Sequence, residues 1–210
     1  MRLIVTRPAG QEQDLIARLE ALGHDVVHCP LIRIESLSDA PIDVAEYDWV
    51  VVTSPNGARE LLRRARGTMP RVAAIGQATA EAIGHADLVA RISTQEGLVA
   101  EMPRPAGRVL VAAAEGARSY LADALSADFL PLYSTHPIHP EPAPVGDLCL
   151  LASASAARAF GVLATGIPAL SIGPETTRAA RGAGIEVLAE APTHDVDGLV
   201  AAVQRVTAEA

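Results

Sequence analysis

Val72-Ala73-Ala74-Ile75-Gly76-Gln77-Ala78-Thr79-Ala80 and Ala169-Leu170-Ser171-Ile172-Gly173-Pro174-Glu175-Thr176-Thr177 are two versions of one phrase. In each, a short apolar run breaks at Ile-Gly and passes into residues that open a helix, so each reads as strand, turn and helix in immediate succession. Self-similarity of this kind reorganises the reading of a whole chain.

The phrase has company along the chain. Glu96-Gly97-Leu98-Val99-Ala100 returns as Asp197-Gly198-Leu199-Val200-Ala201, and Pro30-Leu31-Ile32-Arg33 as Pro131-Leu132-Tyr133-Ser134. A weaker echo links Val52-Thr53-Ser54-Pro55-Asn56-Gly57-Ala58-Arg59 with Leu151-Ala152-Ser153-Ala154-Ser155-Ala156-Ala157-Arg158. Order is kept, and the spacing of about one hundred residues is far too long for a solenoid, so a domain-sized unit has been duplicated.

Between these landmarks, β-branched runs alternate with helical stretches, the pattern of parallel strands joined by crossover helices. Strands are expected at Leu3 to Thr6, Val26 to Ile34, Trp49 to Thr53, Val72 to Ile75, Leu88 to Ile92, Val109 to Ala112, Phe129 to Thr135, Leu148 to Ala152, Ala169 to Ile172 and Glu186 to Ala189. A helix is expected over Gln11 to Leu22, with Leu15, Ile16, Leu19 and Leu22 on one face. The class is α/β.

Composition narrows the function. The 210 residues are 50% hydrophobic but only 3% aromatic, enough for two compact domains. No apolar run approaches the roughly 20 residues that span a bilayer, and the opening Met1-Arg2-Leu3-Ile4-Val5-Thr6-Arg7 lacks the apolar core of a secretory signal. A cytoplasmic protein is expected. A net charge of -8 argues against a nucleic-acid surface. All 17 basic residues are arginine, which excludes a lysine Schiff base and the P-loop lysine. Cys29 and Cys149 lack metal or redox spacing and read as buried thiols, and the 6 histidines are scattered without ligand spacing. No metal site is expected. Thr6-Arg7-Pro8-Ala9-Gly10 stands where a dinucleotide-binding protein would carry GxGxxG.

What remains are the turns. Ser, Thr, Asn and Gly after a strand are preferred helix N-caps, and capping explains any one of them. Their joint placement suggests more, because ligands of an open parallel sheet bind outside the carboxyl ends of its strands, where helix N-termini face anions. Ser54, Thr79, Ser153, Ser155, Thr176 and Thr177 together suit a ligand with several carboxylates. Tyr133, one of three tyrosines, lies in an apolar strand, and its hydroxyl needs a partner if buried.

Taken in order, these pieces resemble uroporphyrinogen-III synthase, and the resemblance runs from end to end. It is carried by Val5-Thr6-Arg7-Pro8, Pro30-Leu31-Ile32-Arg33-Ile34, Thr53-Ser54-Pro55-Asn56-Gly57, Ile75-Gly76-Gln77-Ala78-Thr79-Ala80, Tyr133-Ser134-Thr135, Ile172-Gly173-Pro174-Glu175-Thr176-Thr177, and Pro192-Thr193 ahead of Gly198-Leu199. The resemblance implies two flavodoxin-like α/β domains joined by a two-stranded linker, with a cleft between them. One domain would take residues 1–34 and 139–210 and the other 36–130, with the chain crossing at 30–35 and 131–138. It further implies cyclisation of hydroxymethylbilane, a linear tetrapyrrole with eight carboxylates, to uroporphyrinogen III. Water is lost and the last pyrrole is inverted through a spiro intermediate. Neither a metal nor an organic cofactor is implied, and the expected state is a monomer, with transient contact to the preceding pathway enzyme.

On the same basis Tyr133 is the expected assistant to departure of the hydroxyl group, and Arg7, Ser54, Thr79, Ser153, Thr176 and Thr177 the expected substrate-binding residues. Two turns depart from the family pattern. Val111-Ala112-Ala113-Ala114-Glu115-Gly116 lacks an arginine after its strand, and Ala152-Ser153-Ala154-Ser155 lacks Ser-Pro. Two other functions share such an architecture: a non-catalytic sensor closing on an anionic ligand, and an interaction scaffold, which would expose a large apolar patch.

Overall fold

The computed structural model describes residues 1–208. In chain order the first half comprises β1 (Arg2–Val5), α1 (Gln13–Ala21), β2 (Asp25–His28), β3 (Ile32–Ser36), β4 (Ile42–Asp43), β5 (Trp49–Val52), α2 (Pro55–Arg64), β6 (Ala65–Arg66), β7 (Arg71–Ala74), α3 (Gln77–Ile83), β8 (Leu88–Val89) and α4 (Gln95–Glu101). The second half comprises β9 (Val109–Ala114), α5 (Tyr120–Leu125), β10 (Asp128–Pro137), β11 (Leu148–Leu151), α6 (Ala154–Val162), β12 (Ala169–Ser171), α7 (Pro174–Gly182), β13 (Val187–Glu190) and α8 (Val196–Ala208).

The chain divides into two compact units, one made of Met1–Arg33 with the chain from Thr135 onward, the other of Ile34–Ser134. Both changes of unit fall inside strands, within β3 and within β10.

The first unit is built on a five-stranded sheet in the order β13-β12-β11-β1-β2, all of whose pairings are parallel. Numbered along the chain this is the order 2-1-3-4-5 of a doubly wound sheet. Its central strands are apolar on both faces because both are covered. Leu3 and Val5 pack with Leu15 and Leu19 of α1 and Leu199 and Val203 of α8, while Ile4 turns the other way, toward Ala157 and Phe160 of α6 and Ala180 of α7.

The second unit holds the six-stranded sheet β3-β10-β9-β5-β7-β8, with β4 and β6 paired apart from it. Val50 and Val52 face Ala58 and Leu61 of α2 and Ile83 of α3, and Trp49 and Val51 face Leu98 of α4 and Leu121 of α5.

Each expected strand overlaps an observed one, with differences at the ends. Val26 to Ile34 is not a single strand. It breaks around Pro30, which has no N–H for a ladder, into β2 and β3, which belong to different sheets. Leu88 to Ile92 keeps only its first two residues in β8, whereas Phe129 to Thr135 grows to the ten residues of β10. The expected helix loses Gln11, Glu12 and Leu22, which lie outside α1. The short β4 and β6 were not foreseen. No helix among the described residues is long and apolar enough to cross a membrane.

Candidate functional site

In each sheet the site follows from where the winding reverses. In the first unit β1 leads into α1 on one face and its neighbour β11 leads into α6 on the opposite face. In the second, β9 leads into α5 and its neighbour β5 into α2, again on opposite faces. Between such diverging connections a crevice opens at the carboxyl ends of the strands. The residues at the first reversal are Thr6 and Arg7 beyond β1 and Ser153 beyond β11. Those at the second are Ser54 beyond β5 and Ala114-Glu115 at the end of β9.

At the first reversal, Thr6 is fully buried and its Oγ1 donates to the Leu150 carbonyl at 2.8 Å, tying β1 to β11. Arg7 is half-buried, and its carbonyl accepts from His28 Nε2 at 2.9 Å. Ser153 caps α6 by accepting the Ala156 N–H at 3.1 Å.

Ser54 makes the corresponding bond in the other unit, accepting the Gly57 N–H at 3.0 Å to cap α2. The two caps share one geometry, φ -162 and ψ 156 at Ser54 against φ -162 and ψ 155 at Ser153. Replacement of the following proline by Ala154 therefore leaves the turn intact. Proline presets φ at the first helical position but is not required there.

The Ile-Gly turns also correspond. Gly76 and Gly173 are extended N-caps of α3 and α7, and Thr79 and Thr176 fall on the first turn of each helix, both buried. The backbone angle does not call for glycine at these caps, but space does. A Cβ on Gly76 would lie 2.8 Å from Ser93 Oγ, and one on Gly173 would lie 2.9 Å from His194 Cδ2. Thr177 is engaged internally: its Oγ1 lies 2.6 Å from Ser171 Oγ and donates to the Glu190 carboxylate, locking α7 to β12 and β13. Glu190 carried no sequence signal, because only the register that sets it opposite Ser171 brings it to the helix.

Tyr133 and Ser54, 79 positions apart in sequence, meet in the second unit. Tyr133 stands on β10, 7% exposed, and its hydroxyl lies 2.8 Å from Ser54 Oγ. A Cβ on Gly57 would come within 3.2 Å of Ser54 Oγ and 3.8 Å of the Tyr133 ring, so the small residue after Asn56 keeps the pair close. Because Ser54 Oγ already accepts from Gly57, its own proton is free for the tyrosine oxygen. Either oxygen can donate in this pair, and when Ser54 donates the phenolic proton is available to a third group. Burial pushes the Tyr133 hydroxyl above its ordinary pKa of 10.0, opposed by the Ser54 hydrogen bond, so it is protonated at neutral pH.

Elsewhere, burial drives the Cys149 thiol well above its ordinary 9.0 and raises that of Cys29. Both thiols are free. Among the described residues no three His, Cys, Asp or Glu side chains gather as a metal centre would require.

Comparison with known proteins adds the relationships. The sequence profile of the family described as uroporphyrinogen-III synthase HemD matches residues 13–201. A uroporphyrinogen-III synthase of Synechococcus elongatus is 24% identical over an alignment spanning 97% of this chain and 94% of that protein. A relative from Archaeoglobus fulgidus is 42% identical over 84 residues, an alignment that covers 40% of this chain and 35% of its partner. Among solved structures, a mutant uroporphyrinogen III synthase from Thermus thermophilus matches with a TM-score of 0.68 across 100% of both chains at 17% identity, a likeness of fold.

Proposed function

The chain belongs to the uroporphyrinogen-III synthase family, and we propose that it cyclises hydroxymethylbilane to uroporphyrinogen III in tetrapyrrole biosynthesis, with loss of water and inversion of the last pyrrole. The observation that carries the mechanism is the Tyr133–Ser54 pair beside the winding reversal of the second unit.

The electron push comes from the substrate. A pyrrole nitrogen lone pair expels the hydroxyl of the hydroxymethyl group, the carbon–oxygen bond breaks, and an azafulvenium cation is left, whose N–H proton is then released to give the azafulvene and make good the proton given to the departing oxygen. The departing oxygen needs one proton to leave as water. Tyr133, supported by the Ser54 hydroxyl, is the hydrogen-bond or proton donor to it. With a pKa above 10.0 it is a weak acid, so its share of the rate is contributory. The remaining task is to present the substituted carbon of the terminal pyrrole to the azafulvene, giving the spiro intermediate ahead of direct closure. Positioning of that kind is worth roughly 7–11 kcal/mol in favourable cases.

Arg7, Ser54, Thr79, Ser153 and Thr176 are the proposed substrate-binding set, acting through hydroxyls, helix N-termini and one guanidinium on the substrate carboxylates, while Thr177, its hydroxyl committed to Ser171 and Glu190, supports the turn from behind. Both units contribute to one substrate in this scheme, with β3 and β10 as a two-stranded linker. The protein is taken as a cytoplasmic monomer that works without metal or organic cofactor.

The test is to add freshly prepared hydroxymethylbilane and follow its consumption and the ring closed. The expected result is consumption faster than the spontaneous cyclisation, with isomer III as product. Isomer I alone, formed at the spontaneous rate, rejects the assignment.

A further inference from the structure

Along α6, beyond the Ser153 cap, the first unit carries a groove of about 380 Å3 lined by Ser155, Arg158 and Val162 of the helix and by Ile32, Pro137 and His139 opposite. Ser155, Arg158 and Val162 share one face because they are spaced by three and four residues. The groove has two characters. Ile32, Pro137 and Val162 make an apolar wall, and Val162 stands 69% exposed at its lip. Arg158, His139 and Ser155 supply a cation, an imidazole and a hydroxyl.

The duplication makes Arg158 distinctive. Since Ser54 and Ser153 are corresponding caps, Arg59 and Arg158 are corresponding residues. Arg59 donates to Asn56 Oδ1 at 3.2 Å, whereas the position matching Asn56 is Ser155. No hydrogen bond or ion pair holds the Arg158 guanidinium among the described residues. In the second unit the arginine is tied to its own helix, and in the first it is left facing a groove with an apolar wall.

We propose that this groove is a substrate subsite that holds one carboxylate-bearing pyrrole, its side-arm carboxylate on Arg158 and its ring against Val162 and Pro137. The inference rests on the synthase function proposed above and extends it to residues outside the turns. The groove sits near the low end of the roughly 300–1,000 Å3 of ligand sites, which suits one substituted ring and not four. A small inorganic anion would use the guanidinium but leave the apolar wall uncovered, so the pairing of the two selects an acidic ring.

The experiment is steady-state turnover of hydroxymethylbilane by wild type, Arg158→Gln, Arg158→Lys and Val162→Asp, with thermal midpoints taken alongside. Arg158 and Val162 are both exposed, so their replacement spares the core. Loss of a charge-assisted contact that is made before and during reaction raises KM and leaves kcat near its starting value. Arg158→Gln is expected to raise KM about three- to tenfold with kcat within twofold, Arg158→Lys to recover part of it, and Val162→Asp to raise KM through like charge. A wild type that turns over together with an unchanged KM in Arg158→Gln and Val162→Asp overturns the subsite alone. A fall in kcat at constant KM also overturns it. A wild type that yields only isomer I at the spontaneous rate overturns the parent function and the subsite with it.

Discussion

Tyr133 illustrates what a single side chain demands of its surroundings. Its ring lies in the core beside Ala112 and Leu132, and its hydroxyl is supplied with a partner by Ser54. Tyr133→Phe keeps the ring and removes only the oxygen, so the fold should persist while kcat falls about tenfold, below the usual 10²–10⁴ range of general acid catalysis because so weak an acid only contributes. An unchanged kcat in a quench-flow or spectrophotometric assay removes Tyr133 from the step. Ser54→Ala removes both the cap and the tyrosine's partner. It should cost about 1 kcal/mol of stability for the cap, visible as a lower denaturation midpoint, and should also lower kcat. The need of Tyr133 for a partner was legible in the sequence, but the identity of that partner was not, because a contact across 79 positions is set by which strands become neighbours. Thr177 was legible as a hydroxyl at a helix start, but not its commitment to Ser171 and Glu190, which arises from the register of β12 and β13.

At the level of elements, the repeated Glu/Asp-Gly-Leu-Val-Ala phrase has a steric explanation. Thr94 Oγ1 accepts the Gly97 N–H at 3.0 Å to cap α4, and Asp195 Oδ1 accepts the Gly198 N–H at 2.8 Å at the start of α8. In both turns a Cβ on the glycine would land on a carbonyl oxygen of the preceding loop, that of Ile92 or of Thr193. Gly198→Ala must push the entry of α8 away from the sheet, and should cost about 1–3 kcal/mol as other overpacked sites do. Gly182→Ala, at an exposed helical position where a Cβ meets nothing within 4 Å, should be neutral or stabilising by up to about 1 kcal/mol. Paired urea titrations read the opposite signs, and equal effects would refute the steric account. Strand and helix identities were legible here because apolar periodicity survives duplication. The split of Val26 to Ile34 into β2 and β3 was harder, since a run of apolar residues does not announce that its two ends join different sheets.

At the scale of the molecule, buried acids held neutral set a dependence on alkaline pH. Cys149, Cys29 and Tyr133 all have pKa values raised in the folded state by burial. Such groups favour the folded state fully below their unfolded values, near 9.0 for the thiols and 10.0 for the phenol, and that contribution is lost as pH rises toward the folded values. The thermal midpoint should therefore fall between about pH 8.5 and 10.5. Cys149→Ala should show a shallower fall over the same window, and a midpoint constant across it would contradict the assignment.

The duplicated plan itself was readable from sequence because the repeated Ile-Gly and Ser turns mark strand ends, and strand ends are where a doubly wound sheet keeps its ligand residues. The groove at Arg158 was not readable, because it depends on Ile32 and Pro137 arriving opposite α6 from distant parts of the chain. In the proposed mechanism such turns, hydroxyls and one tyrosine direct ring closure by positioning. This direction is tested most directly by the isomer composition of uroporphyrinogen formed when catalytic amounts of chelator-treated protein consume hydroxymethylbilane. Isomer III should predominate, and isomer I in the proportion found without protein would show that the protein does not direct the closure.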